Sequence, residues 1–188
     1  MINQRLFKHY KIDTEKNLQI KNKCPRPFDT ILIDKKGSCF ACECTSWLPQ
    51  SIGNLQIQSL EEIINSKMHQ HLQESITDST YRYCNENQCS YIKSGAVQNV
   101  NDKQIKHLRL AIDDSCNLRC PSCRAGLIFY SSAEDARHNP KDAKLKQRVD
   151  EYNKRKKLID KINAWLVLEQ NPIQVHIGSD GDPLASHI

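Results

Sequence analysis

Long apolar runs, an export signal and a glycine-rich phosphate loop are all missing from this 188-residue chain. The longest unbroken hydrophobic run, residues 164–168, falls far short of the ~20 residues a membrane helix needs, so no membrane partner is expected. Residues 1–10 lack the apolar stretch and small-residue cleavage site of a secretory leader, which points to a reducing, cytoplasmic setting. Hydrophobic residues make up 38% of the chain, below the roughly 45–50% usual in soluble domains, so the core is expected to be modest or divided. No Ser-His-Asp arrangement can be read from the chain.

Cysteine, by contrast, is plentiful. There are nine, an odd number and without an oxidising compartment a poor basis for a disulfide framework, so they read as metal ligands. The formal charge of +5 is concentrated in residues 141–161, where nine Lys and Arg face four Asp and Glu. The basic run at 154–157 reads as part of a solvated helix face, with nucleic acid not an expected partner.

The cysteines divide the sequence. Six fall before residue 90 and three between 116 and 123, with a polar linker at 93–106 between a first unit, 1–92, and a second, 107–188. In the first, Thr30-Ile-Leu-Ile-Asp34, a Lys-Lys-Gly turn and Ser38-Cys-Phe-Ala-Cys42 predict a hairpin. Ser59 followed three residues on by Glu62 is a capping-box signature, and Leu60, Ile64, Met68 and Leu72 predict one helix over about 60–73. His69 and His71, two apart on it, point to different faces and make a poor metal pair. In the second unit, Leu108, Leu110 and Ile112 predict a strand, the apolar spacing from Leu145 to Leu166 a helix over about 141–169, and Gln174-Val-His-Ile177 another strand. Trp47 and Trp165 read as packing residues.

Two cysteine groups carry the chemistry. Cys116, Cys120 and Cys123 have C-x3-C-x2-C spacing on a loop; three thiolates so placed can hold three corners of a four-iron cluster and leave one iron open, or can bind zinc. Cys24, the hairpin cysteines and Cys84-x4-Cys89 can converge on a closed four-thiolate site, again for an iron-sulfur cluster or zinc.

Cys116-Asn-Leu-Arg-Cys120-Pro-Ser-Cys123, with Gly-Asp-Pro at 181–183 after the next strand, resembles the start of a radical S-adenosylmethionine (radical SAM) enzyme. The resemblance implies that Cys116, Cys120 and Cys123 hold a [4Fe-4S] cluster and that Gly181 and Asp182 help bind S-adenosyl-L-methionine. The implied chemistry is reductive cleavage to a 5′-deoxyadenosyl radical and hydrogen abstraction, with a flavodoxin or ferredoxin as electron donor. The residue before the last cysteine is Ser122 rather than an aromatic, and Asp180 stands where a first glycine is usual.

Gly37-x4-Cys42, with Cys24 upstream, Ile52-Gly-Asn-Leu55, Ser59-Leu-Glu-Glu62 and Tyr81-Arg-Tyr-Cys84, resembles SPASM or twitch auxiliary-cluster domains. That resemblance implies an auxiliary [4Fe-4S] cluster on Cys24, Cys42, Cys84 and Cys89, with Cys39 or Cys44 able to replace Cys42, and a peptide or small-molecule substrate. A zinc ribbon built on Cys39 and Cys42, and a non-catalytic structural or electron-transfer module, are the alternatives.

The expected fold is therefore α/β: the start of a partial (β/α) radical SAM barrel, preceded by a small α+β cysteine-rich auxiliary domain. Residues 107–188 hold one βα unit and a second strand, so the chain reads as part of a longer enzyme whose strand at 174–177 has an open edge.

Overall fold

The computed structural model describes residues 24–45, 48, 51–94, 104–116, 130, 132 and 144–178. Cys120, Cys123, Gly181, Asp182, Ser122, Asp180 and Trp47 lie outside the described residues.

The predicted hairpin forms as β1 (Thr30–Asp34) and β2 (Ser38–Phe40), paired antiparallel. Asp34 closes its turn, its Oδ1 accepting from the N–H groups of Lys36 (2.9 Å) and Ser38 (2.7 Å). Gly37 follows with φ +77°, and a Cβ there would stand 3.0 Å from Leu158 Cδ2 and 3.1 Å from Asn54 Oδ1. The position needs glycine twice over, for its backbone conformation and for the close approach of a helix.

A short helix, α1 (Arg26–Asp29), leads into β1, and β3 (Gly53–Asn54) extends the hairpin. The predicted helix over 60–73 is two helices, α2 (Leu60–Ile64) and α3 (Lys67–Thr77). The Ser59–Glu62 capping box starts the first, as read from the sequence. Ser66 breaks the run: its backbone is extended, its hydroxyl accepts from His69 N–H, and it donates to Ile52 O at 2.9 Å. A serine that caps a new helix competes with continuation of the old one. After α3 come α4 (Ser90–Ser94), β4 (His107–Ala111), α5 (Leu145–Leu168) and β5 (Gln174–Ile177).

All five strands share one mixed sheet in the order β3-β2-β1-β4-β5. β4 runs parallel to both β1 and β5, so the early hairpin and the later strand-helix-strand unit meet along β1 and β4, with Leu32 opposite Arg109. One face of the sheet is apolar. Ile31, Ile33, Leu108 and Leu110 are buried there with Leu158 and Ile162 of α5. Burying each of those two helix side chains contributes roughly 1.5–3 kcal/mol. β5 lies at the edge of the sheet, and Val175 and Ile177 remain 38% and 68% exposed. Among the described residues no helix is long and apolar enough to cross a membrane.

Candidate metal centre

Five of the six early cysteines line one pocket: Cys24, Cys42, Cys44, Cys84 and Cys89. Each arrives on a different local device. Cys24 precedes α1, and its N–H donates to the hydroxyl of fully buried Tyr81 at 3.0 Å. α1 is itself held against α3 by His69, whose ring nitrogens lie 2.6 Å from Pro27 O and 2.7 Å from Ile64 O. Cys42 and Cys44 follow β2. Cys84 closes a turn onto Tyr81 O (2.8 Å), and Cys89 a turn onto Asn85 O (2.8 Å) just before α4. Leu72, Ile76, Ile92 and Ala41 supply apolar walls.

Cys39 does not join them. It points into the main core, fully buried, with its Sγ 3.6 Å from Gly37 O, and burial pushes its thiol up to about 12. Cys39 is on β2 itself, whereas Cys42 and Cys44 lie beyond the strand's end.

Cys42 and Cys44 act as a pair. The Cys44 thiol and N–H both donate to Cys42, the latter at 3.4 Å, which lowers Cys42 below the ordinary thiol range and raises Cys44 above it. Cys42 is thus the readier thiolate and Cys44 its donor. Burial raises Cys24 to about 12. A buried thiol of this kind ionises only when a cation takes the proton's place.

Arg26 lies on the pocket wall, with its guanidinium 5.0 Å from the Tyr91 ring centroid and hydrogen-bonded to the Tyr91 hydroxyl. It also pairs with Glu43 at 3.2 Å, and Glu43 in turn meets Arg109 of β4 at 2.9 Å. The Arg109 approach is an ion-pair contact without hydrogen-bond alignment.

The donor set suits an iron-sulfur cluster: thiols in a largely apolar wall, with no histidine or carboxylate among the described residues that line it. The sulfurs do not converge on one point, and among the described residues no three of Cys, His, Asp or Glu are grouped to hold a metal ion. A four-iron cube instead takes one thiolate at each corner. The space enclosed between the thiols is about 30 Å³.

Of the second cysteine group only Cys116 is described, 93% buried beyond the end of β4. The loop before it is fixed by a network that sequence reasoning missed. Asp113 Oδ1 accepts from the N–H (2.9 Å) and hydroxyl (2.8 Å) of Ser115. Asp114 accepts from Lys35 at 2.6 Å and from the Tyr130 hydroxyl at 2.6 Å. Arg155 of α5 reaches both carboxylates, at 3.3 and 3.1 Å, and stacks 3.6 Å from the Tyr130 centroid. Burial alone would raise the Asp114 carboxyl, but the bonds from Lys35 and Tyr130 and the Arg155 charge hold it down at about 2. Arg155 therefore does not belong to a solvated face with Lys154, Lys156 and Lys157: its side chain is 3% exposed.

Residues 24–90 match the SPASM family, an iron-sulfur cluster-binding domain. The match begins at Cys24 and ends just after Cys89, so it spans all five thiols of the pocket. No curated protein and no solved structure matches the chain.

Proposed function

We propose that the chain is part of a radical SAM iron-sulfur enzyme acting on a peptide or protein substrate, with its auxiliary cluster on Cys24, Cys42, Cys84 and Cys89. The SPASM match over a five-thiol pocket carries this reading, because such domains accompany radical SAM enzymes. The strands that lead toward the other motif support it. β4 and β5 are parallel neighbours, and Gly178 N–H donates to Leu110 O at 3.0 Å, so the segment that leads toward Gly181 and Asp182 starts beside the end of the strand that leads to Cys116.

Cys116, Cys120 and Cys123 would hold the first cluster, which when bound supplies reductive cleavage of S-adenosyl-L-methionine. The chain's own residues do the positioning. Asp113 turns the loop through Ser115, and Arg155 with Lys35 anchors Asp114 two residues before Cys116. In the other pocket Tyr81 fixes Cys24, and Cys44 donates to Cys42.

Anaerobic reconstitution tests the reading. About eight irons per chain are expected, of which a Cys120→Ala/Cys123→Ala variant loses about four. Adding S-adenosyl-L-methionine to the reduced wild type is expected to change its electron paramagnetic resonance spectrum. Zinc with no iron uptake, or no spectral response in a fully loaded chain, overturns it. A second reading, a non-catalytic electron-carrying module, draws on the match ending before the triad; it expects about four irons and no response.

A further inference from the structure

Among the described residues that line the thiol pocket, Arg26 alone is charged. It reaches the wall from α1, two residues after Cys24, and three other segments hold it there. Its guanidinium donates to the Thr30 hydroxyl of β1 at 3.3 Å and to the Tyr91 hydroxyl of α4, and it stacks on the Tyr91 ring. Glu43, in the bend after β2, completes the grip at 3.2 Å.

Glu43 stands in the chain between Cys42 and Cys44, both of which line the pocket. It is not itself part of the lining, and its carboxylate is shared between Arg26 and Arg109. Asp29, the other carboxylate whose charge Arg26 feels, accepts from the Thr30 hydroxyl at 2.7 Å. Each of these charges is partnered, and the partners fix where it sits. The Arg26–Glu43 pair thereby sets a cation on the pocket wall and an anion on the segment that carries two of the thiols.

An iron-sulfur cluster becomes more negative by one charge when it takes up an electron, and its potential follows the charge, hydrogen bonding and solvent exposure around it. A fixed cation close by favours the reduced state, and a fixed anion favours the oxidised one. Side chains only 18% and 28% exposed, beside a largely apolar pocket, are screened less than surface charges. We propose that Arg26 and Glu43 act as opposed charges that set the reduction potential of the auxiliary cluster, a role that presupposes the cluster proposed above on Cys24, Cys42, Cys84 and Cys89. Arg26 favours the reduced cluster and Glu43 the oxidised one, while Tyr91 and Thr30 position the Arg26 guanidinium.

The test is an anaerobic titration with dithionite as electron donor, followed by electron paramagnetic resonance. It uses the full chain carrying Cys120→Ala/Cys123→Ala, so that the thiol pocket holds the cluster being read. Arg26→Met and Glu43→Gln each remove one charge and keep a side chain of similar length. Arg26→Lys retains the charge, and Lys67→Met removes an exposed charge at the start of α3, outside the lining. Iron and sulfide are counted in every sample. At an effective dielectric of about 20, loss of a unit charge at the wall is expected to shift the reduction equilibrium about tenfold, or about 59 mV for one electron. Arg26→Met is expected to lower the potential by about that much and Glu43→Gln to raise it. Arg26→Lys is expected to stay within about threefold of the parent, and Lys67→Met within about twofold. Loosened packing would expose the cluster in both charge variants and move both the same way, so opposite signs separate an electrostatic role from a structural one. A shift of the wrong sign, or of less than about twofold, in either loaded variant overturns the proposal and leaves the cluster's place intact. If Arg26→Met takes up no iron, the sign of the Glu43→Gln shift decides. A parent chain that takes up no iron overturns this proposal together with the iron-sulfur reading of the pocket.

Discussion

Replacing Arg155 with Met keeps an unbranched stem of similar length and removes the charge that joins α5 to the loop before Cys116. The guanidinium is 3% exposed, lies within 3.3 Å of Asp113 and 3.1 Å of Asp114, and stacks on Tyr130. Removing one partner of a buried ion pair typically costs 3–5 kcal/mol, because the other charge is left uncompensated. Here Asp113 and Asp114 keep 14% and 11% exposure, and Lys35 still holds Asp114, which places Arg155→Met near the low end, about 3 kcal/mol. For a chain of this size that is a fall in melting temperature of roughly 6–12 °C. Urea unfolding under anaerobic, reducing conditions, followed by circular dichroism, measures it. Lys154→Met, one residue away but exposed, is the control and is expected to cost less than about 0.5 kcal/mol. If Arg155→Met costs less than about 1 kcal/mol, the network does not anchor the loop and the reasoning fails.

Three further outcomes follow from the same contacts. The Asp114 carboxyl sits at about 2 against an ordinary 3.8, so its contribution, about 2 kcal/mol, is fully present above pH 4 and lost as pH falls toward 2. Asp114→Asn should flatten the fall in unfolding free energy across that window, and an unchanged slope contradicts the assignment. Gly37→Ala forces an L side chain to φ +77° against Leu158 and is expected to cost at least about 1–2 kcal/mol in the same urea assay; a neutral result removes the steric argument. Cys42→Ser should lower iron loading per chain while Cys44→Ser leaves its stoichiometry unchanged, since Cys44 donates to Cys42; the reverse result makes Cys44 the ligand.

Local signals in the sequence were legible where a single short-range rule governs them. The hairpin, the Ser59–Glu62 box and the alternation of β4 all depend on residues within a few positions of one another. The break at Ser66 was hidden because the apolar period runs through it unbroken, and the contact that favours it, the bond to Ile52 O, comes from a distant segment. Arg155 was partly visible. The apolar spacing on α5 skips one place between Tyr152 and Ile159, read from the sequence as Lys156, whereas the structure leaves Lys156 exposed and buries its neighbour Arg155. Beside the local Glu151, its partners Asp114 and Asp113 lie 41 and 42 positions away, so no local pattern could pair it with them. The thiol pocket divides in the same way. Spacing marked the cysteines as ligands, but the sheet sends Cys39 into the core and the bend after β2 brings Cys44 beside Cys42. Glu43, held between Arg26 and Arg109, carried no sequence signal.

Metal and sulfide content of the anaerobically purified chain, wild type against Cys84→Ala/Cys89→Ala, tests the thiol pocket most directly. An iron-sulfur site there predicts that the variant loses about four irons and about four sulfides per chain and keeps its remaining complement. Unchanged iron and sulfide in the variant, or a loss of zinc in place of iron, would contradict it.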